Sequence, residues 1–173
     1  MNKNKIVTLV SSLLIGAAPA WSATGVANVQ GTSAASKATG QIAFTDTKEG
    51  LKVSGNLSHL PPGDHGFHIH EFGDCGDTGK AAGSHYNPAG APHGLLSKDG
   101  MKKAHAGDLG NLTATADGTA TVDAILPGVT LNGAGANVAG RAVIVHEKND
   151  DFGQPVGNAG GRIGCGPIVI TGN

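Results

Sequence analysis

The sequence predicts an all-β domain in which eight short antiparallel strands form a barrel or a sandwich and two long loops carry the function. Three observations support this prediction. After the first 20 residues, no segment of the 173-residue chain shows a sustained helical period with capping residues. Short runs instead alternate apolar and polar side chains, as strands with one buried face do. The 29 glycines supply the turns that many short strands require.

Eight segments of the chain have this alternating pattern. The strongest turn signal is Asp117-Gly118, which predicts a hairpin between the fifth and sixth segments. The segment Gly133–Gly140, rich in glycine and alanine, predicts a connection. The predicted strands are Thr24–Gly31, Thr39–Asp46, Leu51–Ser58, His65–His70, Leu109–Thr115, Thr119–Ile125, Arg141–His146 and Gly166–Thr171.

Two long segments between the predicted strands lack the alternating pattern. They are Glu71–Ala104 and Glu147–Gly164, called here the first loop and the second loop. Each begins directly after a histidine that ends a predicted strand. Loops of this length inside a small domain are usually functional or disordered. We therefore expect a site where these loops meet the strands.

The composition excludes several classes of protein. An apolar content of 39% is enough to fill a core, which argues against a wholly disordered chain. A net charge of −1 gives no support to a nucleic-acid-binding protein held by a basic field. An aromatic content of 3% also leaves few side chains on which bases can stack. We expect one domain with no nucleic-acid partner.

Residues 1–20 predict a cleaved secretory signal. Two lysines precede an apolar segment at 6–18, and Ala18-Pro19-Ala20 has the small-residue pattern of a cleavage site. Cleavage after Ala23 is the alternative, but it puts Trp21 where a small residue is needed. The apolar segment is shorter than the roughly 20 residues of a spanning helix, so we expect no stable membrane anchor.

Export changes the net charge of the mature chain and the chemistry expected of its two cysteines. The predicted mature domain, residues 21–173, has 10 basic and 13 acidic residues and thus a net charge of −3. In an oxidising compartment, Cys75 and Cys165 are most simply a disulfide. Two free thiols or a pair of metal ligands are the alternatives. We expect a periplasmic protein, or an extracellular one if the source is not Gram-negative.

Four histidines predict a first metal site. His68 and His70 are two residues apart on a predicted strand, so both side chains lie on one face. His146 ends another strand, and His85 lies in the first loop. Neutral imidazole nitrogens are good ligands for copper and zinc. This set therefore predicts a copper or zinc site.

A second set predicts a zinc site. His85, His93 and His105 are spread through the first loop and its end, and Asp108 follows His105 by three residues. Three histidines and one aspartate match a closed tetrahedral zinc site, which would also order a long loop. His59 has no partner by spacing, and we interpret it as structural. The chain also has two matches to the glycosylation sequon, at 56–58 and 111–113.

The residues in their order resemble the copper/zinc superoxide dismutase family, and the resemblance covers nearly the whole predicted mature chain. The motifs are GFHIHEFGD at 66–74, HYNP at 85–88, HAGD at 105–108, VHEK at 145–148 and GNAGGRIGCG at 157–166. The resemblance implies an eight-stranded Greek-key β-barrel with one copper and one zinc per subunit. It implies superoxide as substrate and allows a homodimer.

The resemblance also implies roles for individual residues. It implies copper bound by His68, His70, His85 and His146, and zinc bound by His85, His93, His105 and Asp108. His85 would be an imidazolate bridge between the metals. Asp150 would link a copper histidine to a zinc histidine, and His65, on the opposite strand face from His68, would tie the barrel to the loops.

The implied reaction is dismutation of superoxide to O₂ and H₂O₂ by a copper redox cycle, with zinc structuring the site. The substrate is an anion while the mature chain is net negative, so a local positive field must attract it. Arg162, near Cys165, is the candidate, and an ordinary surface charge is the alternative interpretation. Weaker candidates for added attraction are Lys80, Lys98, Lys102 and Lys103.

The sequence departs from familiar members of the family in its loops. The interval from His146 to Arg162 is 16 residues, and the charged residues that guide substrate in longer members have no clear match here. A competing hypothesis is a periplasmic copper- and zinc-binding protein without turnover. Both hypotheses need the ligand set, but only the enzyme needs Arg162 and an open copper face. A structural sandwich with incidental histidines does not account for the complete set.

Overall fold

The computed structural model describes residues 22–172, and the predicted signal at residues 1–20 lies outside them. Eight main strands agree with the predicted ones to within a few residues at most ends. They are β1 (Thr24–Gly31), β2 (Thr39–Thr47), β3 (Gly50–Ser58), β4 (Gly63–His70), β5 (Asp108–Ala114), β6 (Ala120–Leu126), β9 (Ala142–His146) and β10 (Arg162–Gly172). The prediction of an all-β fold is confirmed.

The strands form one antiparallel sheet that curls into a nearly closed barrel. Its strand order is β5-β4-β9-β10-β1-β2-β3-β6, consistent with a Greek-key barrel. The edge strands β5 and β6 are joined by the predicted hairpin, in which Thr115 N donates to Thr119 O at 2.8 Å. The glycine of this turn, Gly118, has a φ of 77° that glycine adopts without steric cost.

The connections contain short elements that the hydrophobic pattern did not predict. Two-residue strands β7 (Val129–Thr130) and β8 (Ala136–Asn137) pair in parallel. The second lies inside the segment Gly133–Gly140 that predicted only a connection. The first loop contains a short 3₁₀ segment (Asp77–Ala82) and one helical turn, α1 (Leu96–Asp99). Elements this short have no period for a sequence pattern to display.

Strand β10 begins four residues before its predicted start. Arg162 pairs with His146, and the register then shifts before Gly164. Such an irregularity interrupts the alternation of side chains, so the sequence pattern begins only beyond it. The second loop is therefore shorter than predicted and extends from 147 to 161.

Strands β4 and β9 are buried on both faces, and this places the site. On β4, Phe67 and Ile69 belong to the barrel core, and the alternate residues His68 and His70 point to the opposite face. On β9, Val143 and Val145 likewise enter the core. Its alternate residues Ala142 and Ile144 form a small second cluster outside the barrel with Ala82 of the first loop and Cys165 of β10. The two loops cover this outer wall.

The predicted disulfide between Cys75 and Cys165 is confirmed. It joins the first loop to β10 across 90 residues of sequence. Cross-linking so long a loop restricts the unfolded chain and is worth about 4 kcal/mol on the chain-entropy estimate. Within residues 22–172, no helix has the length and apolar character needed to cross a membrane.

Candidate metal centre

The first cluster of histidines lies on the outer wall of the barrel. His68, His70, His85 and His146 each offer a nitrogen, and these nitrogens lie within 4.8 Å of one another. Three of the four come from paired strands, because β4 pairs with β9. His85 joins them through an isolated β-bridge with His70. Within the cluster, the Nε2 atoms of His70 and His146 lie 3.2 Å apart.

Hydrogen bonds at the far side of each ring orient these imidazoles. His70 Nδ1 donates to Gly83 O at 3.0 Å, and His146 Nδ1 lies 3.5 Å from Gly160 O. His68 Nε2 donates to Asp150 Oδ2 at 2.9 Å. The remaining nitrogens face the centre of the cluster. Such hydrogen bonds fix the tautomer of a metal-binding histidine and the direction of its ring.

One atom of this cluster tests whether a metal fits. His68 Nδ1 is buried and has no hydrogen-bond partner among residues 22–172. Leaving a buried polar nitrogen unpaired costs about 1–3 kcal/mol, and native structures rarely do so. Because this nitrogen faces three other imidazole nitrogens, a metal ion with nitrogen ligands satisfies it. The set of four imidazoles suits copper.

The second cluster consists of His85, His93, His105 and Asp108, whose ligand atoms also lie within 4.8 Å of one another. Asp108 begins β5 and its carboxylate is the centre of this group. Its Oδ1 lies 2.9 Å from His85 Nδ1 and 3.1 Å from His105 Nδ1, and its Oδ2 lies 2.9 Å from His93 Nδ1. All four residues are buried.

The second cluster fits a closed zinc site. The contact between His93 Nδ1 and Asp108 lacks hydrogen-bonding geometry, so this buried nitrogen is unpartnered, as His68 Nδ1 is. Asp108 Oδ2 accepts hydrogen bonds from the backbone N–H groups of Gly94 and His105, at 3.0 and 2.9 Å. These bonds fix the carboxylate. Three imidazoles and one carboxylate in a buried cluster are the usual ligands of tetrahedral zinc.

Two residues join the clusters. His85 belongs to both of them and directs its Nδ1 toward Asp108. Asp150 lies on the other side, where its carboxylate contacts His68 Nε2 and His93 Nε2, each at 2.9 Å. Asp150 thus lies between a histidine of each cluster.

Burial and charge set the protonation of the histidines. Burial lowers the pKa of His85 to about 4 and that of His146 to about 3, so both imidazoles are neutral near pH 7. His93 is buried as well, which lowers its pKa, but the nearby carboxylates of Asp108 and Asp150 outweigh burial and raise its pKa to about 9. Metal binding at His93 therefore displaces a proton.

Arg162 lies at the opening above the first cluster. It lines a cavity of about 180 Å³ together with His70, His85 and His146. Its guanidinium donates to the carbonyl oxygens of Gly79 and Gly83. These carbonyls belong to the part of the first loop that Cys75 anchors, so the disulfide acts on Arg162 through the loop.

The other predicted residues lie away from this cavity. His65 is buried, and its ring nitrogens lie 2.8 Å from His146 O and 2.7 Å from Pro61 O, which agrees with a structural tie. His59 is exposed and contacts Ser58. Four exposed lysines line no part of the cavity, and their contribution to attraction stays a prediction: Lys80, Lys98, Lys102 and Lys103.

Sequence reasoning missed two amide side chains that support the centre. Asn111 on β5 accepts from Asp150 N at 2.6 Å and donates to Asp150 O at 2.9 Å. Gln154 in the second loop makes the same pair of bonds with the backbone of His93. No sequence signal marks such contacts, because the partners are 39 and 61 residues apart.

Two histidine clusters that share one imidazole, on the outer wall of an antiparallel barrel, define a protein that binds two metal ions side by side. A sequence profile of copper/zinc superoxide dismutase (SODC) matches residues 38–168. A solved structure described as the clock protein EA4 is 36% identical, with a TM-score of 0.74 over 86% of this chain and 94% of that one. The chain belongs to the copper/zinc superoxide dismutase family of oxidoreductases, which bind copper and zinc.

Proposed function

We propose that this chain dismutates superoxide outside the cytoplasm, converting two O₂⁻ and two H⁺ into O₂ and H₂O₂. The observation that carries the proposal is the cavity in which Arg162 faces His70, His85 and His146. A protein that only stores metal has no use for a fixed cation at an open face of its copper site. An enzyme with a small anionic substrate needs both.

In this proposal, His68, His70, His85 and His146 bind copper, and His85, His93, His105 and Asp108 bind zinc. The two unpartnered nitrogens, His68 Nδ1 and His93 Nδ1, support the assignment because each faces its own cluster. When bound, copper supplies one-electron redox chemistry and zinc supplies a fixed positive charge beside it. Asp150 holds a histidine on each side in orientation.

Arg162 binds and orients superoxide in the cavity. Its guanidinium is held by two carbonyl oxygens, which leaves its position fixed while its charge is not neutralised by a carboxylate in the part of the chain that the structure describes. A fixed cation costs no reorganisation when the anion arrives. Because the net charge of the predicted mature chain is −3, this local charge must overcome the global repulsion.

His85 holds and releases a proton in this proposal. Its Nδ1 faces Asp108 in the zinc cluster, and its other ring nitrogen, Nε2, is available to the copper side. The ring also lines the cavity, so a proton at Nε2 lies next to bound substrate. General acid catalysis requires such proximity between the proton and the reacting oxygen.

The competing function is a metal-binding protein without turnover. The test loads the purified protein with copper and zinc and measures superoxide loss against a His68→Ala control. We expect rapid loss with the native chain and none above background with the variant. Equal loss in the two proteins, or none in either, would eliminate the enzymatic proposal.

The compartment and the mature boundary belong to the same proposal. The disulfide between Cys75 and Cys165 supports an oxidising compartment outside the cytoplasm. We propose residues 1–20 as a cleaved signal and 21–173 as the mature domain, in the periplasm if the source is Gram-negative. Mass spectrometry of the exported chain tests the boundary, and an N-terminus at Trp21 is the expected result.

A further inference from the structure

Three alternate residues of the second loop contact one histidine of the zinc cluster. Both carboxylate oxygens of Asp150 lie 2.9 Å from His93 Nε2. The ring of Phe152 stacks on the His93 ring with 6.2 Å between centroids and 21° between planes. The amide of Gln154 bonds to the backbone of the same residue. The second loop therefore holds His93 by its ring nitrogen, its ring face and its main chain.

Gln154 differs from Asp150 and Phe152 because it bonds to both polar groups of the His93 main chain, the N–H and the C=O. His93 N donates to Gln154 Oε1 at 3.0 Å, and Gln154 Nε2 donates to His93 O at 2.8 Å. Two such bonds determine the position and the direction of the peptide, as a pair in an antiparallel ladder does. The other contacts orient the ring only after the backbone is in place.

The first loop contains a similar pair of hydrogen bonds between an amide side chain and the backbone. The amide of Asn87 bonds to both polar groups of the Ala91 backbone, at 2.9 and 3.0 Å. This pair closes a turn between His85 and His93 but does not leave the first loop. Among the described residues, Gln154 thus ties the backbone of His93 to the second loop, whereas Asn87 shapes the segment that leads to it.

The second loop has no free space at this contact. A Cβ added to Gly157 would lie 1.9 Å from Asp150 Oδ1 and 2.7 Å from His93 Nε2. The loop backbone is therefore pressed against the pair formed by His93 and Asp150. A shift of the loop that breaks the Gln154 bonds also moves the groups that hold the His93 ring.

We propose that Gln154 is a positioning residue for zinc, whose amide couples the closed second loop to retention of the metal at His93. The inference rests on the proposed function in that His93 binds zinc. Among the described residues, the side-chain hydrogen bonds of Gln154 go to the backbone of His93 and not to a histidine of the copper cluster. Removal of the Gln154 amide should therefore accelerate the release of zinc more than the release of copper.

The test measures zinc release from copper-free, zinc-loaded protein after addition of an excess of a chromogenic chelator. We expect Gln154→Ala to release zinc about tenfold faster, because outer contacts of metal ligands typically contribute tenfold or more to metal affinity. Gln154→Met keeps the length of the side chain and removes the amide, and it should release zinc as fast as the alanine variant. A wild-type rate in the methionine variant would overturn the role of the amide.

Gln41→Ala is the matched control. It removes a glutamine amide from the barrel surface, where Gln41 Nε2 donates to Asn28 Oδ1 at 3.0 Å, and it should leave the zinc release rate unchanged. Hydrogen exchange provides a second measurement, in which the His93 N–H loses protection in both Gln154 variants only. Equal release from the Gln154 and Gln41 variants would overturn the inference.

The same experiment separates this inference from the proposed function. If the wild-type chain binds no zinc, the ligand assignment fails, and the role of Gln154 in zinc retention is overturned with it. If the wild type binds zinc and all variants release it at one rate, the ligand assignment stands and the role of Gln154 is wrong.

Discussion

The two sides of the metal centre are built by different means. On the side proposed for copper, His68, His70 and His146 belong to paired strands of the barrel. On the side proposed for zinc, His93 lies in the first loop, His105 follows the end of that loop, and only Asp108 begins a strand. His85, which both sides share, is also on the first loop.

The two sides therefore differ in how firmly the fold holds their histidines before metal binds. The main-chain ladder between β4 and β9 determines where the strand histidines lie, and it forms with the barrel core. The positions of the loop histidines depend on hydrogen bonds with the side chains of Asp108, Asp150 and Gln154. They also depend on the bound metal, whose binding energy orders the loop. We therefore expect the copper ligands to be in place before metal binds and the zinc ligands to gain order with it.

The largest effect is expected from His146→Ala, which breaks the copper side alone. It removes the nitrogen that lies 3.2 Å from His70 Nε2, and His146 is not part of the zinc cluster. We expect turnover to be abolished while about one zinc per chain stays bound. Superoxide loss and metal content by plasma mass spectrometry measure the two effects.

The control for this variant is His59→Asn, which changes an exposed histidine outside both clusters. Asparagine suits the positive φ of 58° at this position. It should keep full activity and both metals. Loss of zinc together with copper in His146→Ala would mean that the two sides are not independent.

A smaller effect is expected from Arg162→Ala, which leaves both ligand sets intact. Loss of the fixed cation should lower kcat/KM by about one to two orders of magnitude and weaken its dependence on ionic strength. Pulse radiolysis at several salt concentrations measures both. Arg162→Lys keeps the charge, and most of the salt dependence should return with it. An unchanged rate in Arg162→Ala would remove this residue from substrate attraction.

The smallest effect is expected from Asn111→Ala, which tests the link between the two sides. Asn111 fixes the backbone of Asp150, whose carboxylate contacts His68 and His93. Two hydrogen bonds contribute about 1–3 kcal/mol, so we expect a loss of that size in the free energy of unfolding. Chemical denaturation measures it.

Metal release gives a second measurement for Asn111→Ala. Because Asp150 lies between the sides, release of copper and release of zinc should both accelerate by a similar factor. The Gln154 variants, in contrast, should accelerate zinc alone. Acceleration on only one side by Asn111→Ala would contradict the linking role of Asp150.

The strand-borne half of the site could be predicted from local sequence. The spacing of His68 and His70 on an alternating pattern places both on one face, and the structure has them so. Because no periodicity relates His85, His93 and His105, the other half was predicted from its donor types alone, three histidines and one aspartate, and the resemblance to a family then supported it. Their convergence on Asp108 depends on how the loop folds back over the barrel.

The supporting contacts could not be predicted by either route. Gln154 and Asn111 bind backbone groups, and any residue has the same backbone groups. The early start of β10 at Arg162 was also missed, because a register irregularity hides the alternation there. These features depend on the relative placement of distant segments, which a local pattern does not record.

A single carbonyl oxygen accepts two hydrogen bonds at the opening of the cavity. Gly83 O accepts from His70 Nδ1 and from the guanidinium of Arg162. His70, proposed as a copper ligand, and Arg162, proposed to attract the anion, are thus hydrogen-bonded to the same oxygen atom. Because the barrel ladder fixes the backbone of His70, this shared oxygen ties the first loop and the guanidinium to a ring that the strands hold. In the proposed function, two hydrogen bonds to one atom therefore limit how far the attracting cation can move from a copper ligand.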